Sequence, residues 1–154
     1  MNYYEKSLEV AADAATVYAA LTTAEGLRGW WSLDSDIDTR LGGELQFRFG
    51  RNRKVLRIDR LEPSSEVRWT CTDCYMAAAH LARRDEWIGT QIVFRLTATG
   101  AQHTRLDFEH IGLVAALECY DLCRDGWDYF LPSLQAYAQT GRGTPFEIAQ
   151  ACAA

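Results

Sequence analysis

Period-two alternation of apolar and polar residues recurs along this chain, and it restricts the fold more than any other feature. Leu45, Phe47 and Phe49 alternate with Gln46 and Arg48; Val67, Trp69 and Cys71 with Arg68 and Thr70; Ile92, Phe94 and Leu96 with Val93 and Arg95. Leu106, Phe108 and His110 share one parity later on, and Tyr4, Lys6, Leu8 and Val10 share one near the start. Successive strand side chains point to opposite faces, so each run predicts a strand with one face turned to a core. Gly50-Arg51-Asn52-Arg53 reads as a hairpin turn into a strand over 54–61, Glu62-Pro63-Ser64-Ser65 as the next turn and Gly100 as a further one.

Helical signals bracket these strands. Asp13 stands at an N-cap position ahead of residues 14–21, where Val17 and Leu21 lie one turn apart. A second short helix is expected over 23–28, stopped by Gly29. Near the other end, Tyr120, Cys123, Trp127, Leu131, Leu134 and Ala138 form one stripe when projected on a helix, with Asp121, Asp125 and Asp128 to the side or opposite. This predicts a long amphipathic helix over 115–139 that ends at Gly141, with a bend near Asp128 because Pro132 supplies no backbone donor. Residues 73–87 are too long for a hairpin turn, and Met76–Ala82 has high helix propensity, so a short helix or flap is expected at the sheet rim. Residues 147–154 read as a short Ala-rich tail with little to hold it. Strands grouped together and helices segregated predict an α+β fold: a curved antiparallel sheet wrapped around a long C-terminal helix, with two short helices after the first strand.

The 154 residues suit one domain, with residues 1–146 as its body, able to bury a core without staples. A net charge of −5 argues against nucleic acid as a partner. Arg48, Arg51, Arg53, Lys54 and Arg57 cluster around one turn and read as solvated strand edges rather than a binding patch. There is no apolar run of about 18 residues, so no membrane span is implied, and the N-terminus does not resemble a signal peptide. Five cysteines, an odd number at low density, suggest a reduced cytoplasmic protein.

Trp30, Trp31, Trp69, Trp87 and Trp127 are spread over the whole length, an excess of large rings for packing alone. Rings on the inner face of a curved sheet can line an apolar pocket. Phe47, Phe49, Trp69, Phe94, Phe108 and Trp127 are the expected wall, with Leu131 beneath the helix; the competing reading is that Trp69, Phe94 and Trp127 simply fill the core. Of the adjacent Trp30 and Trp31, one is expected to pack inward while the other caps the pocket or meets a partner.

Element order and motifs together resemble the helix-grip fold of the START-like, birch-pollen-allergen-like (SRPBCC) superfamily, in the branch named after the activator of the heat-shock-protein-90 ATPase. Four segments carry the likeness. They are Leu27-Arg28-Gly29-Trp30-Trp31 before Gly42-Gly43-Glu44-Leu45; Trp87-Ile88-Gly89-Thr90 before Ile92-Val93-Phe94; Thr104-Arg105-Leu106-Asp107-Phe108-Glu109-His110; and Gly126-Trp127 with Leu131, followed by Gly141-Arg142-Gly143-Thr144-Pro145-Phe146. The resemblance implies a deep apolar cavity under the C-terminal helix. Members of the superfamily include lipid carriers, hormone receptors, polyketide cyclases and a chaperone activator, so the fold does not select a function. The stretch before Trp87 is normally short in this branch, whereas residues 72–86 are expanded here. The separate N-terminal module of the eukaryotic co-chaperone has no counterpart in this sequence, which weighs against chaperone activation.

His110 is the best catalytic candidate: an inward imidazole could bind a ligand polar group or act as an acid or base. A histidine at this position in relatives of unlike function favours a structural role instead. Cys71 and Cys74, three apart, and Cys119 and Cys123, one helical turn apart, could with His80 make a zinc site or redox pair, but buried packing is favoured and the family offers no such metal site. Asp121, Arg124 and Asp128 fit a solvated ion-pair row, with Arg124 nearest the apolar stripe and able to reach a ligand carboxylate. No nucleophile–base–orienter triad and no cofactor motif is visible. The reading is a binding module for a small apolar or aromatic, lipid-like or polyketide-like molecule, oriented by His110 and Tyr120, with a homodimer possible. The alternatives are a cofactor-independent enzyme of cyclase, dehydratase or hydrolase type, and a stress- or chaperone-associated interaction module.

Overall fold

A computed structural model describes residues 2–147; the tail expected over 147–154 lies, apart from its first residue, outside the described residues. The elements run β1 (Tyr3–Val10), α1 (Ala14–Thr22), α2 (Ala24–Trp30), β2 (Ser35–Ile37), β3 (Glu44–Phe49), β4 (Asn52–Glu62), β5 (Glu66–Tyr75), β6 (Gln91–Gly100), β7 (His103–Val114) and α3 (Tyr120–Thr140). Seven strands form one sheet in the order β1-β7-β6-β5-β4-β3-β2, every neighbouring pair antiparallel. The three helices pack on its inner face, in the α+β helix-grip arrangement expected.

Local chemistry sets the helix ends. Asp13 caps α1 by accepting from the Thr16 amide at 2.8 Å, and Thr23 caps α2 by accepting from the Gly26 amide at 2.9 Å. At Gly141, φ is 82° and its N–H closes on the Tyr137 carbonyl at 2.8 Å, the left-handed stop that glycine permits. The long helix begins at Tyr120, five residues later than its apolar pattern predicts, because residues 115–119 form turns whose last amides are held by Glu86: the Glu118 and Cys119 N–H groups donate to its carboxylate at 3.3 and 3.0 Å. Pro132 lies inside α3, which runs through it unbroken from Tyr120 to Thr140.

Two departures from regular pairing position the site. Between β4 and β5, Val55 faces Asp73 and Lys54 faces Cys74, yet Leu56 faces Cys71, so Thr72 is an extra residue on β5. Such a bulge restarts the strand's parity. Cys71 and Cys74, which simple alternation would put on opposite faces, are both buried on the inner one. The second departure is at residues 76–90. Of the short helix or flap expected over 73–87, no helix forms, and residues 73–75 continue β5. The segment folds back irregularly, with the Met76 amide donating to the Arg84 carbonyl at 2.9 Å and the Arg84 guanidinium returning to the Met76 and Ala78 carbonyls at 2.8 and 3.1 Å. Alanine propensity is outweighed by these tertiary bonds.

Candidate functional site

A buried polar chain ties the sheet to α3. The Trp127 indole N–H donates to His110 Nδ1 at 3.0 Å, so Nδ1 is an acceptor and the ring proton resides on Nε2. Nε2 meets the Thr90 hydroxyl at 2.8 Å, and that hydroxyl donates to the Trp87 carbonyl at 2.6 Å. His110 is fully buried, and burial, reinforced by the nearby Lys54 cation, pulls its pKa down to about 3. The imidazole is therefore neutral with both nitrogens engaged by protein groups, and it is not a wall residue of the recess described next.

That recess, about 320 Å³, opens to solvent between the first half of α3, the β3–β4 hairpin and the 76–90 segment. Its walls are Trp31 and Phe49 from the α2 end and β3, Asn52 and Lys54 from β4, Met76 and Trp87 from the irregular segment, Leu122, Cys123, Gly126, Trp127 and Phe130 from α3, and Phe146. The rings are organised: Trp31 stacks on Trp127 with centroids 5.2 Å apart, and Trp127 stacks on Trp87 at 6.0 Å. Trp30 stacks behind Trp31 at 5.4 Å and donates its indole N–H to the Ala20 carbonyl at 2.9 Å. Gly29 allows this close approach of α2, because a Cβ there would lie 2.3 Å from the Tyr137 ring.

Of the residues expected as pocket wall, Trp31, Phe49, Trp87 and Trp127 line the recess. Phe47, Trp69, Phe94, Phe108 and Leu131 do not; they are sealed in the core, where Trp69 and Phe94 pack edge to face at 5.1 Å. Trp30 packs inward, and Trp31, stacked on it at the end of α2, is on the recess wall. Tyr120 packs at the edge of the core with Arg124 over its ring at 5.9 Å, and Arg124 itself bonds Asp125 at 3.1 Å and Asp121 at 3.3 Å. Asp128 leaves that row: it accepts from the Tyr4 hydroxyl at 2.5 Å and the Lys6 ammonium at 3.2 Å, tying α3 to β1.

The Cys71 thiol donates to the Asp73 carbonyl at 3.3 Å and the Cys74 thiol to the Arg84 carbonyl at 3.8 Å. Interaction with its neighbouring thiol, together with burial, pushes Cys71 and Cys119 up, while the same interaction lowers Cys74 and Cys123. Cys123 also receives the Trp87 indole N–H at 3.1 Å and lies 3.8 Å from the Met76 sulfur. His80 is exposed, and among the described residues no group of three or more His, Cys, Asp or Glu side chains is placed to hold a metal ion.

The charged cluster around the β3–β4 turn is dispersed by pairing. Arg48 binds Asp34 and Asp36 at 2.8 and 2.9 Å, Arg57 binds Asp59 at 2.7 Å, and Arg53 pairs with Asp73. Lys54 departs from the solvated reading altogether: it is 5% exposed and faces the interior, with its ammonium 4.6 Å from the Trp87 ring centre. The signal was present in the sequence, since Lys54 shares its parity with Leu56 and Ile58, both buried on the same strand.

These features define a helix-grip α+β domain with an aromatic recess under the first half of its terminal helix. Residues 11–139 match the family described as Activator of Hsp90 ATPase homolog 1-like protein, and the chain belongs to that family. No curated protein matches it. Among solved structures, the Aha1 dimer from Colwellia psychrerythraea is similar at 26% identity and a TM-score of 0.76, covering 93% of this chain and 100% of that one. An HSP90 activator from Plasmodium falciparum, PFC0360w, shares the fold at 14% identity and a TM-score of 0.66, over 88% of this chain and 95% of that one. DynU16, from the dynemicin biosynthetic locus, shares it at 19% identity and a TM-score of 0.67, over 93% of this chain and 49% of that one. Among the described residues no helix is long and apolar enough to cross a membrane.

Proposed function

We propose that this protein binds a small apolar or aromatic molecule in the recess between α3 and the β3–β4 hairpin. One observation carries the reading: about 320 Å³ of space is walled by the stacked Trp31, Trp127 and Trp87 rings rather than filled by side chains. That volume is at the small end of ligand pockets, and apolar area removed from water there contributes about 25 cal/mol per Å². The place of action in this reading is the reducing cytoplasm, where the four buried free thiols persist. A homodimer, the state of the Colwellia psychrerythraea structure, is part of the same proposal and is measured by sedimentation.

Fluorescence titration with the neutral apolar probe phenylnaphthylamine tests the reading. Saturable probe emission with quenching of tryptophan fluorescence is expected, and a native protein that leaves the probe dark overturns it. The enzyme alternative has less support, because both nitrogens of His110 are occupied by Trp127 and Thr90.

A further inference from the structure

Among the described residues, the buried polar side chains are Ser32, Ser35, Lys54, Thr90, Thr104, His110 and Ser133. Six of the seven have hydrogen-bond partners: Ser32 reaches the Arg48 carbonyl, Ser35 the Ser32 carbonyl, Thr104 the Ala12 carbonyl, Ser133 the Trp30 carbonyl, and Thr90 and His110 each other. The exception is Lys54. Its ammonium makes no hydrogen bond and no ion pair among the described residues, although it is the most strongly hydrated cation type a protein carries. Among the described residues its direct partner is the face of Trp87, and the thiols of Cys123, Cys74, Cys71 and Cys119 act on its charge. A ring face attracts a cation but accepts no full hydrogen bond, so three N–H donors stand in a largely apolar recess with no acceptor among the described residues.

Asn52 adds a second donor. It lies two residues before Lys54 on β4 and lines the same recess. Its side-chain oxygen is taken by the Ala77 amide at 2.7 Å, which leaves the NH₂ group facing outward from that bond with no partner among the described residues. Residues at i and i+2 share a strand face, so a primary amine and an amide donor stand side by side on the wall. Paired donors on a largely apolar wall suit a group with two acceptor oxygens and a negative charge, because hydrogen bonds to an ionised acceptor are the strong ones. Burial pulls the proton affinity of Lys54 down in the empty protein, and an anion seated beside it would restore the charged form.

We propose that the ligand of this recess carries an acidic group on an apolar, ring-bearing body, and that Lys54 and Asn52 receive that group while the tryptophans enclose the body. The inference rests on the ligand-binding reading above and gives it a chemical class. Carboxylates and sulfonates share the required chemistry.

Two probes of like ring system separate the two ideas: anilinonaphthalene sulfonate, which is anionic, and phenylnaphthylamine, which is neutral. The native protein is expected to bind both, the sulfonate more tightly. Lys54→Met is expected to weaken the sulfonate about tenfold or more while leaving the neutral probe unchanged or tighter, and Lys54→Arg to keep the preference for the anion. Equal loss for both probes, or no loss for either, overturns the acid-group inference and leaves the apolar site standing; failure of both probes to bind the native protein overturns both. A measurement on the unaltered protein covers a variant that does not fold: naphthoate is expected to bind more tightly than methyl naphthoate by calorimetry, and the reverse order overturns the inference.

Discussion

Trp127 and His110 are joined across the helix–sheet interface by a single indole hydrogen bond of 3.0 Å, and this bond decides which imidazole nitrogen holds the proton. With Nδ1 occupied as acceptor, Nε2 faces Thr90 as donor, and the chain ends on the Trp87 carbonyl at the edge of the recess. The same interaction thus locks α3 onto β7 and orients a wall residue.

The neutral state of His110 makes stability depend on pH in a definite direction. Its pKa falls from 6.5 to about 3 on folding, so between those values the unfolded chain takes up a proton that the native state refuses. The native state therefore loses stability as pH falls from about 6.5 toward 3, by an upper bound of about 5 kcal/mol, and the contribution is flat above that window. Urea unfolding at several pH values should show this slope in the native protein and a shallower one in His110→Gln.

Gly112 should not tolerate a side chain. Its φ is 101°, and an added Cβ would lie 2.8 Å from Thr90 Cγ2 and 3.2 Å from Thr90 Cβ. Gly112→Ala combines backbone strain with displacement of the hydroxyl that serves His110, and a loss of about 1–3 kcal/mol is expected in denaturant unfolding. A loss under a few tenths would mean that β7 shifts freely there.

Trp87 serves packing and the recess together. It stacks on Trp127 at 6.0 Å, meets the His110 ring edge-on at 4.5 Å and lies under the Lys54 ammonium. Trp87→Leu should destabilise the fold by about 2–4 kcal/mol, in the range of large core truncations, and should speed hydrogen exchange of the 76–90 segment. Probe affinity should fall in parallel.

Phe146 should separate binding from folding. It is half-buried, lines the recess and packs on Phe49 at 5.8 Å, while its own backbone bonds Trp31 and Leu33 at 2.9 and 3.0 Å. Phe146→Ala keeps those backbone bonds, so a stability change of under about 1 kcal/mol is expected alongside a several-fold faster release of bound probe. A large fall in the thermal midpoint would instead make this ring part of the core.

Strand parity, caps and the helical stripe made the architecture legible in advance, because each is a short-range consequence of backbone geometry. Asp13, Thr23 and Gly141 act locally, and the inward set Phe47, Trp69, Phe94 and Phe108 is buried as alternation requires. The site was harder to see for three separate reasons. Parity says that a ring points inward but not how deep it sits, so the expected wall rings Phe47, Trp69, Phe94 and Phe108 are sealed core. The alanine-rich stretch after Tyr75 forms no helix, because the Arg84 guanidinium takes its Met76 and Ala78 carbonyls. Lys54 stood in a run of basic residues, of which Arg48, Arg53 and Arg57 find carboxylates on Asp34, Asp73 and Asp59.

The sequence by itself determined the α+β architecture and the family, since periodicity and ordered motifs survive without knowledge of distant contacts. Only the tertiary structure decided that one extra residue at Thr72 turns Cys71 and Cys74 to the same side, and that the ammonium of Lys54 sits under aromatic cover. Both depend on register between strands and on the space left when the helix closes over the sheet, quantities that arise from the whole packed chain and from no segment of it.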